Sequence, residues 1–502
     1  MNLTNAHQGR LAQIAGKAEP TTRPINAFQA RLGMIAGDES VTAVNPPANG
    51  YQAYLKDIEA GGGGGGDESL LNSILDRTIS GMYANETLST IGDYAFARCT
   101  ALNQVSFPEC TTIGSAAFSI CDSLSQVSFP KCTVIGSSAF YACHALSQAS
   151  FPECVTINDH AFDNCTVLKQ TNFPKCNVIS SAAFKTCTAL SQASFPECTV
   201  IGNSAFASCS SLRQLAFPEC SIIGTGAFAA CYTLSQVSFP KCTVIGSSAF
   251  AGCSSLRQLA FPECLVISSF AFVSCRSLNQ VSFPKCSIIS NNAFISCSSL
   301  SQISFPECSV IGISAFNACT TLSQASFPEC TAINASAFAN CVSLSQASFP
   351  ECITLSQYAF SGCSNLSQVN FPKCTSIAAC AFASCGSLGQ VNFPQVIQIQ
   401  TSAFANCVSL SQASFPKCTL ISAWAFHNCS ALMSVYLLGS SVATLSSANA
   451  FTGTPLSASV GGVYGSFYVR ESLYATYISS RYWSAYSARF VSMTDAEIEA
   501  LG

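Results

Sequence analysis

The chain has 502 residues, of which 49% are apolar and only 9% are charged, and its formal net charge is −4. An ordinary globular protein carries about 25% charged residues, so this composition excludes a disordered polyelectrolyte. The basic residues are scattered rather than clustered, and we therefore expect no nucleic-acid partner.

No part of the sequence has the long apolar run of a membrane span, which needs about 18 or more residues. Residues 1–20 contain no apolar core of the kind found in a secretory signal peptide. We therefore expect a protein that is made in the cytoplasm and does not insert into a membrane.

Residues 1–60 contain a weak motif that occurs three times and predicts three short helices. Each copy has an apolar pair at positions i and i+3, with glycine after it. The pairs are Leu11 and Ile14, Leu32 and Ile35, and Leu55 and Ile58. Such small apolar stripes cannot bury themselves, so we expect residues 1–60 to be a helical anchor that docks on another protein or on other copies of the chain. A glycine-rich segment over 61–68 predicts a flexible linker.

From residue 95 onward the sequence repeats every 22 residues without an insertion. Phe-Pro occurs 15 times from Phe107 to Phe415, and Ala-Phe-x-x-Cys occurs 16 times from Phe96 to Phe426. In each repeat, L-x-Q-V-S-F fits the strand of a leucine-rich repeat, and proline ends that strand. The Ala-Phe segment predicts a short helix or 3₁₀ turn.

A single repeat cannot bury its own apolar face, so the repeats must stack. The sequence predicts a solenoid of about 15–16 units over residues 95–437. Residues 69–94 are expected to form an N-terminal cap or a first, irregular repeat.

The repeats resemble the BspA-type leucine-rich repeat, whose pattern I-P-x-x-V-x-x-I-G-x-x-A-F-x-x-C-x-x-L is matched from Ala95 to Leu432. The unit is shorter by one residue than is common in that family, and cysteine stands where the family has valine. The resemblance implies a non-enzymatic adhesion protein, either a tail-associated protein of a phage or prophage or a bacterial surface adhesin.

The short helices before a polyglycine run are similar to the N-terminal anchors of phage tail and baseplate proteins. This second resemblance implies a virion protein made in the bacterial cytoplasm, with other tail proteins as partners of residues 1–60 and a host surface protein or glycan as the partner of the solenoid. The alternatives are a cell-surface adhesin and a purely structural spacer.

Residues 438–502 depart from the 22-residue period. The segments 467–477 and 482–486 resemble the terminator of the same family, which implies an α/β cap whose aromatic side chains plug the end of the core. Arg470 stands where the family often has proline.

Most of the 31 cysteines are spaced 11 residues apart and therefore form two columns along the stack. The sequence contains no C-x-x-C pair and no mixed His cluster of the kind that binds zinc. Val396 replaces cysteine in one repeat, which favours a role as a small core side chain. The four histidines never recur in phase, and none suggests a catalytic triad. We expect no catalytic, cofactor-binding or metal-binding residues.

The candidate ligand-binding surface is the polar side of the predicted strands. Glutamine occupies the third strand position in every copy from Gln104 to Gln412. It can form a hydrogen-bonded ladder along the stack or a polar surface for a protein or glycan. The only cations on this strand lie at the position before glutamine, and the candidate site is placed around them: Lys169, Gln170, Arg213, Gln214, Arg257 and Gln258.

A column of eight Glu and six Lys follows the Phe-Pro motif. Neighbouring charges of opposite sign in this column should pair along the stack.

Overall fold

The structure is a computed structural model, and it describes residues 74, 76–457 and 463–500. Within this range the chain forms a parallel β-solenoid of about 19 turns with roughly 22 residues per turn. The six residues of the predicted anchor (Leu11, Ile14, Leu32, Ile35, Leu55 and Ile58) and the linker over 61–68 lie outside the described residues. No helix in the described part is long and apolar enough to cross a membrane.

Each turn contributes one strand to a first series, which we name the concave strands. The middle residue of a typical concave strand, such as Val127, points inward and glutamine points outward, as expected for side chains that alternate between two faces. The leucine and phenylalanine that flank each strand, such as Leu124 and Phe129, are buried. The concave strands are Gly81–Ala84, Leu102–Ser106, Gln126–Ser128, Gln148–Ser150, Gln170–Asn172, Gln192–Ser194, Gln214–Ala216, Gln236–Ser238, Gln258–Ala260, Gln280–Ser282, Gln302–Ser304, Gln324–Ser326, Gln346–Ser348, Gln368–Asn370, Gln390–Asn392, Gln412–Ser414, Ser434–Leu437, Ser466–Arg470 and Phe490–Met493.

The concave strands are all parallel and form three consecutive sheets. The pairing is interrupted between Gln236–Ser238 and Gln258–Ala260, and again between Gln368–Asn370 and Gln390–Asn392. The stack is longer than the predicted 15–16 units because one turn precedes the regular sequence and Ser466–Arg470 and Phe490–Met493 continue it beyond residue 437.

A second strand of two residues follows in every turn except the last two, a feature that the sequence pattern did not predict. These short strands form one continuous parallel ladder in which each pairs with the next. They are Thr90–Ile91, Thr112–Ile113, Val134–Ile135, Thr156–Ile157, Val178–Ile179, Val200–Ile201, Ile222–Ile223, Val244–Ile245, Val266–Ile267, Ile288–Ile289, Val310–Ile311, Ala332–Ile333, Thr354–Leu355, Ser376–Ile377, Gln398–Ile399, Leu420–Ile421 and Thr444–Leu445.

The Ala-Phe segment forms consecutive turns where the sequence predicted a short helix or 3₁₀ turn. Two residues of each segment have a positive φ, such as Ser138 at 56° and Ala142 at 54°. Their amides and that of Phe140 donate to carbonyls of the next turn at 2.7–2.9 Å. A helix would direct these amides back along its own axis, so hydrogen bonding between turns accounts for the non-helical backbone.

Two columns of phenylalanine fill the core. Rings of the Ala-Phe column stack face to face, as Phe140 does on Phe118 and Phe162 at 5.2 and 5.1 Å between ring centroids. Rings of the Phe-Pro column pack against them at steep angles, for example Phe151 against Phe162 at 70°. Both arrangements are favourable for aromatic pairs, and each additional turn extends them.

The C-terminal end of the stack is covered by two helices, Glu471–Ser479 and Asp495–Glu499, and by a 3₁₀ helix over Trp483–Arg489. Trp483 Nε1 donates to the Ala443 carbonyl at 2.6 Å, and the Ala443 amide donates to Tyr477 Oη at 3.0 Å. These aromatic side chains therefore satisfy backbone groups that another turn would otherwise bind.

The first of these helices begins after Arg470, the residue that occupies the family's proline position. Arg470 has a φ of −58°, which is close to the value that proline would impose. Its Nε donates to the Leu438 carbonyl at 2.9 Å and its guanidinium pairs with Asp495. The side-chain contacts of Arg470 thus hold the turn into the helix, which a proline at this position would hold through its ring.

Candidate ligand-binding face

The concave strands line a groove of about 1970 Å³ that extends from Lys169 to Ser348. In the L-x-Q-V-S-F segment of each turn, the third residue is glutamine and the fifth is mostly serine. Both are exposed along the groove. Except between Gln236–Ser238 and Gln258–Ala260, the backbone of these strands pairs with neighbouring turns, so the groove offers a ligand mainly amide and hydroxyl side chains. These groups both donate and accept hydrogen bonds.

The six predicted site residues are divided among three parts of this face. Lys169, Arg213, Gln214 and Gln258 line the main groove. Arg257 lies, again with Gln258, in an adjoining cavity of about 630 Å³ that we name the notch. Gln170 lines a separate cavity of about 440 Å³ nearer the N-terminal end. Arg213 and Arg257 therefore line two adjoining cavities that share Gln258, and Gln170 lines a third.

The glutamine column does not form a continuous hydrogen-bonded ladder. Gln258 Nε2 donates to Gln280 Oε1 at 3.0 Å, and Gln346 Nε2 donates to Gln368 Oε1 at 3.3 Å. Elsewhere in the described part of the chain, the glutamines of this column make no side-chain hydrogen bond. Most of their amide groups are thus available to a ligand, as a polar binding surface for a protein or glycan requires.

The charged column after Phe-Pro pairs along the stack. Five of its lysines contact the glutamate of the preceding repeat at 2.5–2.7 Å, and Lys417 donates to Gln395 at 2.6 Å. About half of each side chain is exposed, so each pair contributes less than about 1 kcal/mol. Five glutamates and five lysines of the column cancel in these pairs, whereas Glu197, Glu307 and Glu329 make no ion pair among the described residues. The column follows the concave strands and forms one rim of the groove.

The opposite rim of the groove is formed by residues that precede the concave strands in each turn. Over a long stretch, the only charges on this rim are positive. Between residues 186 and 300, Arg213, Arg257 and Arg276 are the only charged residues outside the Phe-Pro column. All three are exposed, and none makes an ion pair with another residue that the structure describes. Sequence reasoning missed Arg276 because it precedes the strand, at a position whose exposure the repeat pattern does not reveal.

Tyr232 is a second residue of this rim that sequence reasoning missed. It is 54% exposed and lies in the turn between those of Arg213 and Arg257. A Cβ added at Gly252, in the next turn, would lie 3.8 Å from the Tyr232 ring. The ring therefore covers the backbone at Gly252 and leaves its other side open.

The thiols of both cysteine columns are buried, and raised pKa values in each column disfavour the reactive thiolate form. Every cysteine except Cys380 is buried, and burial raises the pKa of thiols in each column, for example to about 12 for Cys132 and Cys275. The thiols donate to carbonyl oxygens, as Cys143 Sγ does to Phe118 O at 3.1 Å. Val396 occupies its cysteine slot fully buried. No group of three His, Cys, Asp or Glu that could hold a metal occurs among the described residues.

A family model described as a BspA type leucine-rich repeat region matches the chain in overlapping segments: residues 76–191, 177–300, 243–367, 287–410 and 353–460. No curated protein matches the chain.

Among solved structures, a leucine-rich repeat protein from Bacteroides ovatus is 27% identical over 62% of this chain and 86% of its own, with a TM-score of 0.54. A leucine-rich cell surface protein from Faecalibacterium prausnitzii is 21% identical over 73% of this chain and 86% of its own, with a TM-score of 0.31. The pneumococcal vaccine antigen PcpA is 13% identical over 74% and 84%, with a TM-score of 0.32.

Proposed function

The chain belongs to the BspA-type leucine-rich-repeat family, and we propose that it is a non-enzymatic adhesion protein that binds its target along the concave groove. The groove is the observation that carries this proposal. It is long, open and lined by exposed amide, hydroxyl and guanidinium groups, and a rigid stack holds these groups at a spacing of about 4.8 Å per turn.

We further propose that residues 1–60 attach the protein to a larger assembly, the tail of a phage or prophage, and that the solenoid recognises the host cell. The apolar pairs and the glycine-rich linker of the N-terminal sequence support this assignment. The F. prausnitzii relative is described as a cell surface protein, and the alternative is accordingly a bacterial adhesin that binds a host surface. The two assignments predict different targets for the same groove.

Blocking the groove tests the adhesive role. Ser282→Trp with Ser326→Trp places two bulky rings on exposed positions that line the groove. The control, Thr331→Trp, lies in a column on another face that already carries the exposed side chains of Leu265 and Ile353. Labelled full-length protein is incubated with intact bacterial cells and with epithelial cells.

Binding to bacterial cells that the groove variant loses, and the control retains, is expected for a phage protein. Binding to epithelial cells with the same pattern would favour the surface adhesin. Equal binding by the groove variant and the control would refute adhesion through the concave face.

Deleting residues 1–60 tests the attachment. The truncated protein should keep the solenoid's circular dichroism spectrum and its cell binding but should be absent from purified particles. Particle incorporation at the wild-type level would exclude an anchoring role for these residues.

A further inference from the structure

The unpaired positive rim identifies a ligand class. This inference rests on the proposed function: we propose that the groove and the notch bind an acidic polysaccharide whose carboxylate or sulfate groups occur on alternate sugars. The residues that carry the inference are Arg213, Tyr232, Arg257 and Arg276.

The spacing of the arginines sets the spacing of the ligand's charges. Arg213 and Arg257 are 44 residues apart, which corresponds to two turns and about 10 Å along the stack. The turn between them has Ser235 at the same position. A pyranose ring in an extended chain spans about one turn, so a charge on every second sugar matches a cation on every second turn.

The arginines have no internal partner that would have to be displaced. The nearest members of the Phe-Pro charge column on the same turns are Glu219 and Glu263, six residues further along the chain. The strands Gln214–Ala216 and Gln258–Ala260 lie between each arginine and its glutamate and span about 10 Å, which exceeds the Debye length of about 8 Å at physiological salt. A guanidinium can bind a carboxylate or sulfate through two parallel hydrogen bonds.

The local backbone opens the surface at this point. The notch is lined by three successive turns, including Ser235, Arg257 and Asn279. It lies where the pairing of the concave strands is interrupted. Tyr232 and Arg276 each precede a residue that lines the notch. An exposed tyrosine ring beside hydroxyl groups and arginine can pack on the C–H face of a sugar while its neighbours bind the hydroxyl and acidic groups.

The same features argue against an acidic peptide as the natural ligand. Each concave strand of this region has a neighbouring turn on both sides, so a peptide cannot add to the sheet as an extra strand. The groove presents glutamine on every turn and serine on most turns, with alanine at Ala216 and Ala260. A surface that repeats every turn is best matched by a polymer that repeats as well.

The test measures binding of the full chain to four immobilised polymers by biolayer interferometry. Hyaluronan carries a carboxylate on every second sugar, polygalacturonate carries one on every sugar, dextran is neutral, and poly-L-glutamate is an acidic peptide. We expect hyaluronan to bind, more weakly as sodium chloride is added, and dextran not to bind.

The first variant replaces Arg213, Arg257 and Arg276 with serine. Serine occupies each of these positions in at least one adjacent turn, so the fold accepts it. Each loss of a charge-assisted hydrogen bond should weaken hyaluronan binding about tenfold. The control, Lys241→Gln with Lys285→Gln and Lys417→Gln, removes the same charge from the opposite rim and should change binding by less than about twofold.

A second variant changes the spacing without removing a charge. Duplicating residues 223–244 adds one turn between Arg213 and Arg257, which makes their separation three turns. Hyaluronan should then bind about tenfold more weakly, whereas polygalacturonate, which has an acid on every sugar, should bind as before. Circular dichroism establishes that the longer solenoid is folded.

Four outcomes would overturn the inference. In the first three, the wild type binds neither acidic polysaccharide, binds dextran as tightly as hyaluronan, or binds poly-L-glutamate more tightly than hyaluronan. In the fourth, the serine variant binds hyaluronan within twofold of the wild type. If the groove-blocking tryptophan pair still abolishes cell binding in that case, the adhesive role stands and only the ligand class is wrong.

Discussion

Stability of the solenoid should fall steeply at alkaline pH because of the buried thiols. Burial raises the pKa of the thiols in both columns, to about 12 for Cys132 and Cys275, whereas a thiol in an unfolded chain has a pKa of about 8.5. Above the lower value, the unfolded chain releases protons that the folded chain retains. The free energy of unfolding is therefore almost unaffected below about pH 7.5 and decreases as the pH rises through the unfolded pKa toward the folded pKa.

The magnitude follows from the number of thiols per turn. At about pH 9.5, one unit above the unfolded pKa, each buried thiol favours unfolding by about 1.4 kcal/mol. Each regular repeat contains two, so a repeat loses roughly 2–3 kcal/mol. Summed over the stack, this exceeds the net stability of about 5–15 kcal/mol of a typical domain. We expect the solenoid to unfold between about pH 9 and pH 10.

Far-ultraviolet circular dichroism with urea titration, in a reducing buffer from about pH 7 to pH 10, measures the effect. The variant Cys110→Val with Cys132→Val and Cys154→Val places at three sites the residue that Val396 shows to be acceptable. It should lose at most about 1.5 kcal/mol per site at neutral pH and recover about 1.4 kcal/mol per site by about pH 9.5. Cys380→Ser is the control and should not change the pH profile. A wild-type stability that is constant to about pH 10, or identical pH profiles for the valine variant and the wild type, would refute this reasoning.

Three further predictions concern the core, the cap and the one accessible thiol. Phe272 is buried between Phe250 and Phe294, with ring centroids 5.4 and 5.1 Å away, so Phe272→Ala should cost about 3–5 kcal/mol in urea unfolding. Phe270→Ala, two residues away at an exposed position, should cost less than about 0.5 kcal/mol; equal costs would contradict the assigned core. Deleting residues 438–502 should expose the edge strand Ser434–Leu437 and cause aggregation visible by light scattering, and a monodisperse product would show that this segment is not a cap. Iodoacetamide at about pH 8 should label native protein at Cys380 alone, as read by peptide mass spectrometry, and general labelling would show that the buried columns are open.

The column architecture could be predicted from the sequence because the 22-residue period has no insertion. Once the period is known, Phe140 must lie between Phe118 and Phe162, and Gln126 must align with Gln148. The exposed side of the strand follows from simple alternation. The same regularity explains why Val396 already indicated that the neighbouring cysteine slots are in the core.

The turns of the Ala-Phe segment could not be predicted from local rules. Those rules reserve a positive φ for glycine or asparagine, whereas this chain places Ser138, Ala142 and even Phe270 there. A non-glycine residue in this conformation costs about 1–2 kcal/mol. The hydrogen bonds that repay this cost join one turn to the next, so they exist only in the stack and leave no trace in the sequence of a single repeat.

The candidate site remains a prediction, and the sequence indicated only part of its surroundings. Strand position placed Lys169, Arg213 and Arg257 in one column, since the repeat pattern defines the columns. The division of the face into separate cavities, with Gln170 in a different one from Arg213, could not be read from that pattern. Tyr232 and Arg276 lie in turns before the strand, where exposure depends on how successive turns pack rather than on alternation.

The structural repeat and the chemical repeat of the groove differ in length. Every turn of 22 residues has the same backbone path, but the sequences of residues 209–220 and 253–264 are identical while the intervening turn differs. Packing follows the same two-turn alternation, because Leu215 and Leu259 are buried where Val237, between them, is only half-buried. The two turns that carry Arg213 and Arg257 therefore also bury the inward side chain of the strand, Leu215 or Leu259, more deeply than the turn between them, and a 44-residue unit sets both features.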